Sequence, residues 1–198
     1  MDLFGNDGIN ILADKGKNLV VYYTSFFNYK EAEKILESIN SETPWNREKM
    51  KMFNNEYLVP RDTAWYGEKA YIYSGVFNKP HSWTPLLFDI KTKVEKKINC
   101  SFNSLLLNRY RDGKDKVDWH SDNEKELDKT SPIASLTFGC ERDFFIRHKF
   151  DKNNKRKESL KHGSLLVMYP PMQDEWDHAV PKRATASLRI NLTFINVL

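Results

Sequence analysis

Trp119-His120-Ser121-Asp122 sets an imidazole and a carboxylate two residues apart. On a strand, side chains two apart share a face, so His120 and Asp122 could reach one ion. A third ligand must come from a distant segment, and only five histidines exist, at 81, 120, 148, 162 and 178. His178 lies in Glu175-Trp176-Asp177-His178-Ala179-Val180-Pro181, between two predicted strands. Two imidazoles and one carboxylate form the facial set that holds Fe(II) and leaves positions open for a cosubstrate and O₂. Taken alone, His-x-Asp is a weak signal that chance produces often, and a polar strand end or turn is its commoner explanation.

A second chemical feature is Arg189-Ile190-Asn191-Leu192-Thr193-Phe194. Its alternation predicts a half-buried strand with Arg189, Asn191 and Thr193 on one face and Ile190, Leu192 and Phe194 on the other. A guanidinium on an inward face needs a partner, and a carboxylate fits it in two-point fashion. That carboxylate is either a protein side chain or a dicarboxylate cosubstrate. Asn108 and Tyr110 show the same period on another predicted strand and add two hydrogen-bonding groups.

These groups need a scaffold, and the chain supplies one of mainly β type with flanking helices. Residues 1–18 are polar and read as a loose N-terminal arm, with 19–198 as a single domain. Leu19–Tyr23 predicts a strand. Asn28 and Glu31 form a capping-box pair ahead of Ala32, Ile35, Leu36 and Ile39, which lie on one face of a helix. Residues 45–83 read as irregular strands and loops. A second helix starts near Thr84, with Pro85 at its first position and Leu87, Ile90, Val94 and Ile98 as its buried stripe. Beyond it, strands are predicted at 102–109, 133–138, 143–149, 164–168 and 187–195.

Composition narrows the class. With 198 residues, 40% of them hydrophobic, the chain can build a core, and its net charge of +4 permits a nucleic-acid partner without requiring one. From Arg147 to Lys161 there are seven basic side chains (Arg147, Lys149, Lys152, Lys155, Arg156, Lys157 and Lys161) against Asp151 and Glu158. The centre of this run, residues 151–157, reads as a hairpin loop that is either a solvated tip or a phosphate contact. Cys100 and Cys140 fit neither a zinc pattern nor a disulfide framework and read as reduced thiols. No apolar run suits a membrane span and no signal segment opens the chain, so an intracellular monomer is expected.

From about Met52 to Phe194 the sequence resembles the AlkB family of alkylated-nucleic-acid demethylases, most of all the human alkylation-repair homologues two and three. The likeness runs in order through residues 60–67 (PRDTAWYG), 102–113 (FNSLLLNRYRDG), 117–124 (VDWHSDNE), 132–139 (PIASLTFG), 142–144 (RDF), 163–168 (GSLLVM), 176–178 (WDH) and 189–194 (RINLTF). It implies a double-stranded β-helix, or jelly roll, in residues 101–198, with helices and nucleotide-recognition loops in 19–100. It implies Fe(II) on His120, Asp122 and His178. Arg189 would take the distal carboxylate of 2-oxoglutarate, beside Asn108, Tyr110, Asn191 and Thr193. Phe53, Trp65, Tyr66, Asn123, Glu124, Lys182 and Arg183 would meet the substrate, with Phe53 as a wedge in duplexes. The implied reaction removes methyl from 1-methyladenine or 3-methylcytosine in DNA, with RNA as a second candidate, and releases succinate, CO₂ and formaldehyde. Two alternatives stay open: an oxygenase acting on another substrate, and a nucleic-acid binding module with a weak iron site. Nuclear residence is implied if the source is eukaryotic. Two positions depart from the family pattern. Asn123 stands where a second Asp is usual, and Ile195 stands where a second Arg helps order the cosubstrate pocket.

Overall fold

A computed structural model describes residues 8–14, 18–52, 55–69, 71–73 and 76–198. Phe53 lies outside the described residues. The order is β1 (Ile9–Asp14), β2 (Asn18–Tyr23), α1 (Tyr29–Glu42), β3 (Lys49–Met52), β4 (Asn55–Leu58), β5 (Asp62–Gly67), β6 (Tyr71–Tyr73) and β7 (Val76–Asn78). There follow α2 (Pro85–Ile98), β8 (Ser104–Tyr110), β9 (Val117–His120), β10 (Ile133–Gly139), β11 (Arg142–His148), β12 (Lys155–Leu160), β13 (Ser164–Met168), α3 (Met172–Glu175), β14 (Trp176–Val180) and β15 (Arg189–Ile195).

Local chemistry explains both long helices. Asn28 accepts from the Glu31 N–H while the Glu31 carboxylate accepts from the Asn28 N–H, which closes the capping box on α1. Thr84 caps α2 through the Leu87 N–H, and Asn99 ends it in the left-handed region at φ 54°. Ala32, Ile35 and Ile39 of α1 and Leu87, Ile90 and Val94 of α2 bury against one face of a seven-stranded sheet, order β1-β2-β13-β10-β15-β8-β5. Ile190, Leu192 and Phe194 face this helix layer, as their alternation predicts.

The other face of the large sheet packs on a four-stranded sheet, order β12-β11-β14-β9. Tyr110, Ile133, Leu166 and Met168 from the first meet Phe144, Ile146, Leu160, Trp176 and Val180 from the second. The result is mainly β with flanking helices, two facing sheets rather than a closed barrel. Gly139 joins β10 of one sheet to β11 of the other at φ +87°, where an added Cβ would strike the Leu188 carbonyl. No helix among the described residues is long and apolar enough to cross a membrane.

Three sequence expectations change. Ile9–Asp14, read as loose arm, pair with β2 and extend the large sheet. Asp62–Gly67, read within an irregular region, is a full strand on β8. Lys155–Lys157, read as part of a loop, belong to β12 and pair with β11, so the turn is shorter than expected.

Candidate metal centre

β9 and β14 lie side by side, and His178 pairs directly with His120. Two residues further on β14, Val180 pairs with Val117, three residues back on β9. That extra residue is a bulge in β9, which turns both Val117 and His120 inward although they have opposite parity. His178, expected between strands, lies within one. β9 ends at His120, so Asp122 sits in the following loop and strand alternation is not what brings it to His120. Its backbone N–H donates to Gln173 Oε1 at 2.9 Å.

The three side chains converge. Asp122 Oδ1 lies 3.5 Å from His120 Nε2, and Oδ2 lies 3.5 Å from His178 Nε2. One ligand atom from each lies within 4.8 Å of the others. His120 Nδ1 is 2.8 Å from the Asp118 carbonyl, which places its proton on Nδ1 and leaves the Nε2 lone pair facing inward. Burial pushes His178 down to about 4, with the His120 charge adding to the effect against the pull of Asp122. Burial works to raise Asp122, but the two imidazoles and Arg61 overcome it and bring the carboxyl to about 2. A neutral His178 and an ionised Asp122 are the states a divalent cation needs from its ligands. Burial pushes His120 down as well, but Asp122 and the Asp118 carbonyl outweigh it and raise its pKa. Without metal His120 is thus drawn toward its protonated form, and a cation would displace that Nε2 proton.

The triad opens into a cavity holding about 600 Å³ of empty space, part of it continuous with solvent. Asn108, Tyr110, Arg189, Asn191 and Thr193 all line it, because Arg189 pairs with Tyr110 and Asn191 with Asn108 across β15 and β8. Arg189 is 1% exposed, and its Nη2 donates to Thr137 Oγ1 at 2.9 Å. Its Nε and Nη1 are buried with no partner. Tyr110 stands between two buried guanidiniums, 5.0 Å from that of Arg189 and 5.6 Å from that of Arg142. Arg142 is spent on the carbonyls of Asp112, Asp115 and Pro181. Asn191 is likewise engaged, by Ser135, Leu136 and Thr193, and so shapes the wall more than it offers free donors.

Other expected residues are distributed unevenly. Trp65, 4% exposed, faces the inter-sheet core and donates Nε1 to the Lys69 carbonyl. Tyr66 points the opposite way, into the helix layer beside His81, because adjacent residues on β5 alternate faces; a place beside the substrate does not follow for it. Asn123 is exposed and Glu124 half-buried in the loop after Asp122. Asn123 and Ile195 line a second cleft, which meets the first at Asp122 and Met168; Ile195 is thus outside the Arg189 cavity. Lys182 and Arg183 are exposed, with the Arg183 N–H on the Gly113 carbonyl, at the end of the small sheet opposite to the β11–β12 turn. Arg61 went unassigned in the sequence: it lines the cavity and donates Nε to Asn108 Oδ1 at 2.7 Å. It precedes β5, so no periodicity announces it.

A family model described as the 2OG-Fe(II) oxygenase superfamily matches residues 19–194. Alpha-ketoglutarate-dependent dioxygenase alkB homolog 3 of Mus musculus is 40% identical over 196 residues, which is 94% of this chain and 68% of that protein. The homolog 3 of Homo sapiens is 40% identical over the same shares. DNA oxidative demethylase ALKBH2 of Homo sapiens is 36% identical over 197 residues, 93% of this chain and 76% of that protein. The solved structure of OsALKBH1 superposes with a TM-score of 0.68 over 93% of this chain and 99% of its own, at 16% identity, a likeness of fold.

Proposed function

Because this chain belongs to the AlkB family within the 2OG-Fe(II) oxygenase superfamily, we propose that it removes alkyl groups oxidatively from nucleic-acid bases. The observation that carries this reading is the buried, unpartnered edge of Arg189 in the same cavity as the triad. Two buried guanidiniums flank Tyr110, and among the described residues neither has a carboxylate as a hydrogen-bond partner. A dicarboxylate cosubstrate supplies the missing anion.

His120, Asp122 and His178 would hold Fe(II). Bound there with 2-oxoglutarate and O₂, the metal supplies the oxidation that hydroxylates an N-alkyl group. Arg189 takes the distal carboxylate, and the Tyr110 hydroxyl and Asn108 hydrogen-bond the same molecule. Leu106, Val117, Phe144, Leu160 and Val180 wall the cavity with hydrocarbon, which excludes water and strengthens each polar contact inside. The base enters through the cleft that joins this cavity at Asp122. A base in a duplex must first be flipped. Cationic 1-methyladenine and 3-methylcytosine suit a site with Glu124 nearby. Residues 19–198 act as one dioxygenase unit, with triad and cosubstrate residues all drawn from 101–198.

The test is formaldehyde release from 3-methylcytosine and 1-methyladenine in single-stranded DNA, duplex DNA and RNA, with and without Fe(II). Iron-dependent release from at least one is expected. Succinate formation with no formaldehyde from any oligonucleotide would move the substrate outside nucleic acid. Absence of both products from a protein that binds methylated oligonucleotides would make it a binding module.

A further inference from the structure

Of the three converging ligands, two are fixed by the sheet: His120 and His178 face each other across a strand pair. Asp122 has no such support. It lies two residues past the end of β9, so its carboxylate is only as well placed as the Ser121–Asp122 backbone. That backbone is held directly by one side chain from elsewhere, and a second holds it through the Ser121 hydroxyl. Gln173, in the short helix α3, accepts the Asp122 N–H on Oε1 at 2.9 Å and turns its own Nε2 toward Met168 Sδ at 3.4 Å. Lys149, just past β11, donates Nζ both to Ser121 Oγ at 2.9 Å and to the Gln173 carbonyl at 2.7 Å. The Lys149 N–H is itself anchored on the Glu175 carbonyl.

α3 is anchored in turn. Met172 is fully buried, and Trp176, which ends the helix, opens the strand that carries His178. Gln173 therefore measures Asp122 against the strand of His178, and Lys149 locks the two together. We propose that Gln173 and Lys149 are positioning residues for the Asp122 ligand: they set the carboxylate against the two imidazoles before metal arrives. The proposal rests on the iron reading of the triad.

The experiment titrates Co(II), a spectroscopic substitute for Fe(II), into the oxygen-free protein and follows its visible absorption. Gln173→Met keeps the length and loses the acceptor; Gln173→Glu keeps the acceptor. Lys149→Met loses the donors; Lys149→Arg keeps them. Partners that orient metal ligands typically change affinity about tenfold or more, so the two Met variants should bind Co(II) about tenfold more weakly, with an altered band shape. The Glu and Arg variants should recover most of that loss. A purely structural role would lower the unfolding temperature and leave the Co(II) affinity of the folded protein alone. Wild-type affinity and spectrum in either folded Met variant would overturn the positioning role of that residue. Asp122→Ala is the control: Co(II) binding that survives it would sink the triad reading itself, and the proposal with it.

Discussion

Replacing Arg189 with Met should leave ligand-free stability nearly unchanged and remove stabilisation by 2-oxoglutarate. Arg189 is 1% exposed, with two nitrogens unpartnered and, among the described residues, no carboxylate bonded to it. Burial therefore drives its pKa down, with the neighbouring Arg142 adding to the effect and Tyr110 opposing it. In the cosubstrate-free protein such a cation is a net burden, and replacing buried charged groups by apolar ones is often neutral or stabilising by about 1–4 kcal/mol. The lost bond to Thr137 and the contact with Tyr110 each take back about 1 kcal/mol, so the net change should lie between a loss of about 1 and a gain of about 2 kcal/mol. For a chain of this size that is a shift in unfolding temperature between a fall of roughly 3 °C and a rise of roughly 6 °C. With cosubstrate the effect is large and has one sign. Truncating one partner of a buried charge-assisted pair costs about 2–5 kcal/mol, or roughly 30- to 4000-fold in 2-oxoglutarate affinity. Thermal unfolding with and without 2-oxoglutarate, in the presence of Mn(II), reads both: the wild type should be stabilised by the ligand and the variant should not. Unchanged 2-oxoglutarate stabilisation in Arg189→Met would refute the clamp, and a large fall in its ligand-free stability would refute the claim that the site is built around a missing anion.

Ile195→Arg should destabilise by about 3 kcal/mol, because Ile195 is 5% exposed and lines an apolar-floored cleft, and it should not improve 2-oxoglutarate binding. Adding Asn123→Asp in the same cleft should recover at most about 1 kcal/mol, because position 123 is exposed; additive urea-denaturation energies would show that the two positions do not communicate. Lys152→Gln with Arg156→Gln, on the exposed turn and the strand after it, should flatten the salt dependence of single-strand binding by roughly 1.4 logarithmic units per decade, about 0.7 for each phosphate no longer neutralised. An unchanged slope would make this hairpin ordinary solvated surface. Lys182 and Arg183, at the far end of the small sheet, should affect the slope independently of it.

The polar wall of the Arg189 cavity was legible because strand alternation alone brings its residues to one side. Arg189, Asn191 and Thr193 need only period two to share a wall, and Asn108 and Tyr110 add a second row with the same period. What sequence could not supply is register between elements. It joined Trp65 and Tyr66 as neighbours near substrate, yet pairing of β5 on β8 sends them to opposite layers. It put His120 and Asp122 on one face by alternation, whereas a bulge turns His120 inward and a side chain from α3 holds Asp122. A bulge has no composition, and Gln173 lies far along the chain from the loop it supports.

Register also changes the meaning of the two departures from the family pattern. In sequence, Asn123 follows a metal ligand and Ile195 ends the cosubstrate strand, so they read as separate weakenings. In space they line one cleft, beside Asp122 and outside the cavity of Arg189. By the resemblance, an amide and a hydrocarbon stand where one acidic and one basic side chain are usual, a difference of one charge of each sign that leaves the local balance unchanged. A lone Arg at position 195 would meet burial with no charge offered by Asn123 in the same cleft. The pair is therefore one alteration to the cleft through which the base is proposed to approach. On the proposed function, it would act on what enters beside Asp122, and the cosubstrate would be left to Arg189, Tyr110 and Asn108 in the separate cavity.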